Sequence, residues 1–193
     1  MGLKRDAIDG IAGLPRYMAS NKAQTVFFAL LLAWALAAII APLALPHATV
    51  DFGADGVVGG SEHAGAIGEM ENPAVRLLYQ AGDLNCHQID ERSYFLNGNQ
   101  MPFCARCTAI FIGMPLGMAA FFVLRREFNP LLLLLAFVPI GVDGLTQAFT
   151  SYESTNLMRV ITGSIAGIAA GYALAYMVRE MGAIVRARPR RQP

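Results

Sequence analysis

Four long stretches with almost no charge are the feature of this sequence that most limits its fold. Residues 23–50, 107–124 and 160–178 contain no Asp, Glu, Lys or Arg, and residues 128–152 contain only Asp143. A helix needs about 20 mainly apolar residues to cross the roughly 30 Å hydrocarbon core of a bilayer. The sequence therefore predicts an all-α membrane protein with four transmembrane helices. The spans are expected at about 25–45, 107–124, 131–149 and 160–178.

The composition agrees with a membrane protein. The chain has 193 residues, of which 55% are hydrophobic and 15% are charged, whereas a soluble domain carries about 25% charged residues. Residues 1–23 form a polar segment that is too long for a cleaved signal peptide, so the apolar run after it is expected to remain as a helix. The net charge of +1 gives no reason to expect nucleic acid as a partner, and the lipid bilayer is the expected one.

The distribution of charge along the chain predicts its orientation. Basic residues concentrate in three segments, which contain Lys4, Arg5, Arg16 and Lys22, then Arg125 and Arg126, then Arg179, Arg186, Arg188, Arg190 and Arg191. The 46–103 segment instead has two arginines against eight acids. Because positive segments remain in the cytoplasm, we expect a multi-pass protein of the cell membrane with both termini cytoplasmic. The predicted parts are a cytoplasmic segment 1–24, one membrane domain 25–178 with an outer loop 46–106, and a basic tail 179–193.

The outward-facing loop is expected to carry a short helix and a Cys/His cluster. The stretch PAVRLLYQAG, which begins at Pro73, has apolar residues at helical spacing and proline at its first position. Further along, Asn97 and Gly98 form a dipeptide typical of tight turns. Such a turn lets the chain fold back, and it would bring Cys86 close to Cys104.

All three cysteines lie in the segment CHQIDERSYFLNGNQMPFCARC, residues 86–107. Cys104 and Cys107 form a CxxC pair, a spacing at which both sulfurs can turn toward one metal ion. Cys86 and His87 would complete a site of three cysteines and one histidine, although adjacent ligands are a less common arrangement because neighbouring side chains tend to point apart. Zinc is the preferred metal and iron is the alternative.

The same cysteines also fit a redox pair. A CxxC motif at a helix N-terminus lowers the pKa of a thiol, and Cys104 should be the lower of the two, with Arg106 adding positive charge. The chain would then be a membrane thiol–disulfide oxidoreductase with a quinone as its cofactor. It is similar in outline to four-helix quinone-linked disulfide-forming enzymes, which usually have two cysteine pairs. A structural disulfide is a third interpretation, and the odd number of cysteines counts against it.

A second polar cluster is expected at the same membrane face. Asp143 lies inside an apolar span, where an aspartate at the bilayer centre costs roughly 2.5–3.5 kcal/mol. Gln147 lies one helical turn further on the same face, and Asn156 and Arg159 follow at the start of the next span. These are the candidate catalytic residues, with Asp143 as acid or base toward an unknown small-molecule substrate. An ion pair of Asp143 with Arg159 or Arg106 is the structural alternative, and whether the chain is an enzyme stays open.

Glycines that lie four residues apart in two spans predict close packing of these helices. They are Gly113 and Gly117 in the second span, and Gly163, Gly167 and Gly171 in the fourth. In lipid this spacing lets two helix backbones approach closely. Packing within one chain is the main interpretation, and a homo-oligomer through these spans is the alternative. A transporter or channel subunit is a further hypothesis, although four spans leave little wall for a pore unless the chain oligomerises.

Three segments resemble one family of small membrane proteins. They are CHQIDERSYFLNGNQMPFCARCTAIFIG, VDGLTQAF and ESTNLMRVITG, and the family is known as domain of unknown function 2085. The resemblance covers roughly residues 75–178 and implies no established activity. It does imply that the cysteine and polar clusters belong to one pattern. Gln88, Arg92 and Arg106 are candidate cofactor-binding residues on this resemblance.

Overall fold

The computed structural model describes residues 8–54, 56, 58–59 and 61–187. These residues form a bundle of long helices with a loop-rich cap at one end. Of the basic residues that predict the orientation, Lys4, Arg5, Arg188, Arg190 and Arg191 lie outside the described residues.

The helices and strands follow the chain in a simple order. The helices are α1 Leu14–Ser20, α2 Lys22–Ile40, α3 Ala64–Gly68, α4 Pro73–Asn85, α5 Ala105–Leu124, α6 Pro130–Phe149 and α7 Asn156–Ala187. Two short strands, β1 Phe95–Leu96 and β2 Asn99–Gln100, pair antiparallel between α4 and α5.

Four of these helices are long and apolar enough to cross a membrane. They are α2 with the helical turn that follows it (Lys22–Ala44), α5, α6 and α7 up to Arg186. The all-α fold with four spans, a short helix in the first long loop and a cysteine cluster is therefore confirmed. The fourth helix is longer than predicted, because it begins at Asn156 and continues beyond the uncharged part to Ala187.

Glycines bring α5 and α7 into close contact. A Cβ added at Gly117 would lie 2.0 Å from the carbonyl oxygen of Ile168, and one at Gly171 would lie 1.9 Å from that of Met114. Only a hydrogen atom fits at such positions, so glycine is required there for the approach. The glycine faces of the two helices are used within one chain, as the main interpretation of their spacing requires.

The cap holds its shape through buried amide side chains. The turn between β1 and β2 has Asn97 and Gly98 at φ values of 55° and 71°, which is the left-handed geometry expected of a tight hairpin. Asn99 is fully buried, and its Oδ1 accepts hydrogen bonds from the backbone N–H groups of Thr49 (2.7 Å) and Val50 (2.9 Å). The hairpin is thereby fixed to the chain that leaves the first span.

The two ends of the bundle differ in their chemistry. The cysteine end, as we name it, carries the cap, Cys86, Cys104 and Cys107. The tail end carries α1, the α5–α6 connection and the end of α7. At the tail end α1 packs against α2 and α5, and the Tyr17 hydroxyl donates to Gln24 Oε1 over 2.7 Å.

Candidate metal centre and polar network

The three cysteines of the chain come together at the cysteine end. Cys104 precedes the first turn of α5, Cys107 lies within that turn, and Cys86 follows the last residue of α4. Their three Sγ atoms lie within 4.8 Å of one another, and no disulfide joins them. Cys86 is buried, whereas Cys104 and Cys107 are partly exposed. The convergence expected from the Asn97–Gly98 turn is therefore present.

Backbone and thiol donors surround the sulfur atoms. The N–H of Cys104 donates a hydrogen bond to Cys86 Sγ over 3.3 Å. Hydrogen bonds from the thiols of Cys107 and Cys86 lower the pKa of Cys104 below its usual range, and the N–H groups of Cys107 and Arg106 lower it further. The hydrogen bond to Cys104 and burial raise the pKa of Cys86. Of these two thiols, Cys104 therefore has the lower pKa and Cys86 the higher one.

Aromatic side chains enclose the buried side of the cluster. Trp34 from α2 packs against Phe103 and Phe111, with ring centroids 5.8 and 5.9 Å apart. Phe103 is 2% exposed and belongs to the same buried group as Cys86, with Cys104 and Cys107 packed against it. This surrounding excludes water from one side of the three sulfurs.

The predicted fourth ligand, His87, does not join the cluster. Its side chain is exposed, and the described residues offer no His, Asp or Glu atom that lies with the three sulfurs. The reason is local geometry, since Cys86 turns inward and the adjacent side chain turns outward. The carbonyl of His87 instead packs against Gly56, where an added Cβ would lie 1.6 Å from it. Of the four residues predicted to converge, the structure brings together the three cysteines and leaves His87 outside.

Gln88 lies beneath the cluster and not on its surface. It has a left-handed φ of 49° and is fully buried. Its Nε2 donates to the carbonyl oxygens of Pro102 (2.9 Å) and Tyr79 (3.3 Å), while its Oε1 has no partner among the described residues. Gly82 makes room for this amide, because an added Cβ there would lie 2.4 Å from Gln88 Nε2. Gln88 thus fixes α4 to the chain that enters α5.

The predicted polar residues form a network of ion pairs at the same end. Arg106 of α5 pairs with Asp143 of α6, and the same guanidinium lies 3.4 Å from Gln147 Oε1. Asp143 is the one buried residue of α6, a helix that the structure describes in full. The pair with Arg106 is one of the two that the sequence named as the structural alternative for Asp143. The second carboxylate oxygen of Asp143, Oδ1, is buried and has no hydrogen-bond partner among the described residues.

Glu153 joins the other members of this network. Its carboxylate accepts two hydrogen bonds from Arg92 (2.8 and 3.1 Å), one from Arg159 (2.7 Å) and one from Gln147 (2.7 Å). Partial burial raises the pKa of Glu153, but Arg92, Gln147 and Arg159 outweigh it, so the pKa is lowered. Arg159 also donates to Asn156 Oδ1 over 3.0 Å. Glu153 was not among the predicted site residues. Its signals in the sequence were its place in the short loop between two spans and in the segment ESTNLMRVITG, which resembles the family.

The cysteines and the polar network lie on different sides of α5. Residues of an α-helix follow one another at about 100°, so Arg106 lies about 100° from Cys107 and about 160° from Cys104 around the axis. Cys104 and Cys107 face the aromatic group, whereas Arg106 faces Asp143. The two groups are connected through the chain and do not form one continuous pocket wall.

These features define a class of protein: a multi-span helical membrane protein with three converging cysteines and an ion-pair network at one end. The chain belongs to the family described as predicted membrane protein (DUF2085), whose sequence model matches residues 86–173. The resemblance seen in the sequence is therefore confirmed. The matched segment begins at the first cysteine and includes the whole network, while α2 and the first part of the cap precede it.

Two archaeal relatives agree with this assignment. An uncharacterized protein of Methanocaldococcus jannaschii is 41% identical over 95 residues, which cover 47% of this chain and 61% of that protein. An uncharacterized protein of Methanothermobacter thermautotrophicus is 36% identical over 86 residues, which cover 43% of this chain and 78% of that protein. The chain thus spans less than two thirds of the first relative. No solved structure matches the chain.

Proposed function

We propose that the protein binds one zinc ion through Cys86, Cys104 and Cys107. The observation that carries this proposal is the approach of three sulfurs to within 4.8 Å of one another. Tetrahedral zinc with Zn–S bonds near 2.3 Å needs sulfurs about 3.8 Å apart, so a small contraction would suffice. The hydrogen bond that the N–H of Cys104 donates to Cys86 Sγ supports the proposal, since such donors orient and stabilise metal-bound thiolates.

A single ion fits the cluster better than an iron–sulfur centre. In a four-iron centre each thiolate binds a different iron, and in a two-iron centre the thiolates are divided between two irons, so that some thiolates lie further apart than the ligands of one ion. Three sulfurs this close therefore favour zinc or a single iron. Zinc is preferred, because three thiolates are a soft donor set and zinc adopts tetrahedral geometry without preference from its d electrons.

The fourth position of the ion would be open. Structural zinc sites have four protein ligands, whereas catalytic sites keep three and leave one position for water or substrate. Because His87 is turned outward, the three thiolates would leave one position of the ion free, as in catalytic zinc sites. An unknown small molecule could therefore reach the ion from the exposed side of Cys104 and Cys107. Asp143 and Gln147 would have a structural role, by holding α6 to α5 through Arg106. Asn156 and Arg159 would hold the start of α7 to the cap and to Glu153.

The proposed location is the outer face of the cell membrane. Lys22, Arg125, Arg126, Arg179 and Arg186 all lie at the tail end of the bundle. Positive charge in short segments next to spans favours the cytoplasm. The tail end and both termini would then be cytoplasmic, and the cysteine end would face outward.

Metal analysis of the purified protein tests the proposal. We expect about one zinc per chain, a value that Cys86→Ser and Cys104→Ser reduce to near zero because each removes one of three ligands. His87→Ala is the matched control and should keep the metal. A monodisperse, helical protein without metal, even after incubation with zinc, would contradict the proposal.

Cobalt substitution then tests the coordination. Co(II) in a three-thiolate site gives intense sulfur-to-metal charge-transfer absorption, and this should be unchanged in His87→Ala. Addition of imidazole should shift the visible bands if the fourth position is open. If imidazole leaves the spectrum unchanged and His87→Ala alters it, His87 is the fourth ligand.

Thiol–disulfide exchange is the second candidate, because the three cysteines are free thiols at contact distance. In this function Cys104 attacks a disulfide of a partner protein, and Cys107 then attacks the mixed disulfide. A Cys104–Cys107 disulfide forms as the partner disulfide is reduced, and the partner leaves with two thiols. Thiol trapping decides between the candidates. A Cys104–Cys107 bond that forms with a disulfide substrate favours exchange, whereas thiols protected by bound zinc favour the metal site.

A further inference from the structure

A basic cleft lies at the tail end, on the opposite end of the bundle from the cysteines. It has a volume of about 250 Å³ and separates the start of α2 from the end of α7. Lys22 and Gln24 line it from α2, and Arg179, Gly182 and Arg186 line it from α7. Neither the metal site nor the polar network uses these residues.

The cleft has an excess of positive charge. Its lining includes three cations, and the one carboxylate that pairs with them is Glu180, 3.0 Å from Arg179. Within the described part of the chain, Lys22 and Arg186 form no ion pair. Two positive charges are therefore left without a partner on facing walls of one cavity.

The walls of the cleft are held in place by packing and hydrogen bonds. Gln24 is 2% exposed, and its Nε2 donates to the carbonyl of Ala175 over 2.6 Å, which ties α2 to α7. The guanidinium of Arg179 lies over the ring of Tyr176, 4.9 Å from its centroid. The guanidinium of Arg186 packs beside Gly182, where an added Cβ would make an ordinary contact 3.6 Å from Nη1. The cations are thus placed around a formed cavity.

The position of the cleft along the bundle indicates its ligand. Lys22 begins the first apolar span, and Arg186 ends the fourth. Residues at the two limits of membrane spans lie at the level of the lipid headgroups, where anionic lipids concentrate near basic side chains. Guanidinium groups bind phosphate oxygens through charge-assisted hydrogen bonds.

We propose that this cleft binds a phosphate group, supplied by the headgroup of an anionic phospholipid. Lys22 and Arg186 neutralise the phosphate from α2 and α7, and Arg179 borders it. A bound headgroup would join the first and last spans, which the hydrogen bond from Gln24 already connects. This site is independent of the proposed zinc site at the other end.

Lipid-dependent stability of the purified full chain tests the proposal. Phosphatidylglycerol, added to the protein in an uncharged detergent, should raise the Tm, and phosphatidylcholine should raise it much less. Lys22→Gln with Arg186→Gln should weaken the apparent affinity for phosphatidylglycerol about 30-fold, since each basic contact contributes about fivefold. Both side chains are exposed, so the variant should remain monodisperse on gel filtration.

Two controls make the test decisive. Arg16→Gln removes an exposed arginine of α1 that does not line the cleft, and it should leave the lipid effect unchanged, unlike Arg186→Gln alone. Equal losses in these two variants would overturn the proposal, as would equal stabilisation by the two lipids. A separate arm uses inorganic phosphate. Stabilisation by phosphate that depends on Arg186, without any by phosphatidylglycerol, would overturn the lipid as the source.

Discussion

The contact of α5 with α7 and the attachment of α6 show two different ways to join helices in a bilayer. Between α5 and α7, glycines remove every side-chain atom from the closest points of approach, as at Gly117 and Gly171. In α6 only Asp143 is buried, and residues such as Leu134 and Leu145 are 66% and 60% exposed. Lipid tails are as apolar as leucine, so burial of leucine does not join helices there. Close packing therefore holds α5 to α7, whereas polar bonds hold α6 to the bundle.

The difference extends along the length of α6. Its polar bonds, through Asp143 and Gln147, are all near the cysteine end. Toward the tail end, α6 is separated from α7 by an apolar space of about 500 Å³. Leu132, Ile168 and Tyr172 border this space. We therefore expect α6 to be fixed at one end, and α5 and α7 to be fixed along their whole contact.

Gly117→Ala should have the largest effect on stability. The added Cβ would lie 2.0 Å from the carbonyl oxygen of Ile168, and backbone atoms on both sides cannot move without separating the helices. Overpacking of this kind costs about 3 kcal/mol. The free energy of unfolding, measured by titration with a denaturing detergent, should fall by that amount. A variant as stable as the native protein would show that close approach does not hold α5 to α7.

Asp143→Asn should lower the free energy of unfolding by less than Gly117→Ala does, and it should loosen only α6. It keeps the shape of the side chain but leaves Arg106 without its charge partner, and hydrogen bonds to charged groups contribute about 2 kcal/mol. The detergent titration should show this loss, while protease sensitivity rises in the α5–α6 and α6–α7 connections. The zinc content should not change, because the cysteines face the other side of α5. Loss of zinc in this variant would contradict the separation of the two groups.

The spans and the glycine contact could be predicted from the sequence because both depend on simple periodic rules. Absence of charge over about 20 residues marks a span, and glycine every fourth residue marks one face of a helix. The approach of Cys86 to Cys104 was predictable for a similar reason, since Asn97 and Gly98 permit a turn of defined geometry.

The rest of the site depends on geometry that the sequence does not carry. Whether His87 follows Cys86 inward is decided by the backbone between them and by Gly56, which packs on the His87 carbonyl. The N–H of Cys104 reaches Cys86 only after the hairpin has formed. The role of Glu153 required the relative positions of Arg92 and Arg159. Arg92 lies in the cap and Arg159 in the first turn of α7, far apart in the sequence.

Glu153→Gln should lower the free energy of unfolding by less than about 1 kcal/mol, because the carboxylate is half exposed and its pair with Arg92 is accessible to solvent. The neutral amide keeps an oxygen that can accept the hydrogen bond from the buried Arg159. Its pKa is lowered from the ordinary value of 4.5, so its contribution is complete above pH 4.5 and is lost as the pH falls through the lower folded value. Thermal unfolding between pH 3 and 6 should show this loss in the native protein. The variant should show a flatter profile, and identical profiles would mean that Glu153 does not stabilise the fold.

Gly141→Ala should have the smallest effect, and it is the matched control for Gly117→Ala. Both glycines lie in the middle of membrane spans, but an added Cβ at Gly141 meets no atom within 4 Å. A methyl group there would project into lipid, so the free energy of unfolding should change by less than about 0.5 kcal/mol. The same detergent titration gives both values under one set of conditions. A loss at Gly141 as large as that at Gly117 would place a tightly packed surface, such as a second copy of the chain, against the exposed face of α6.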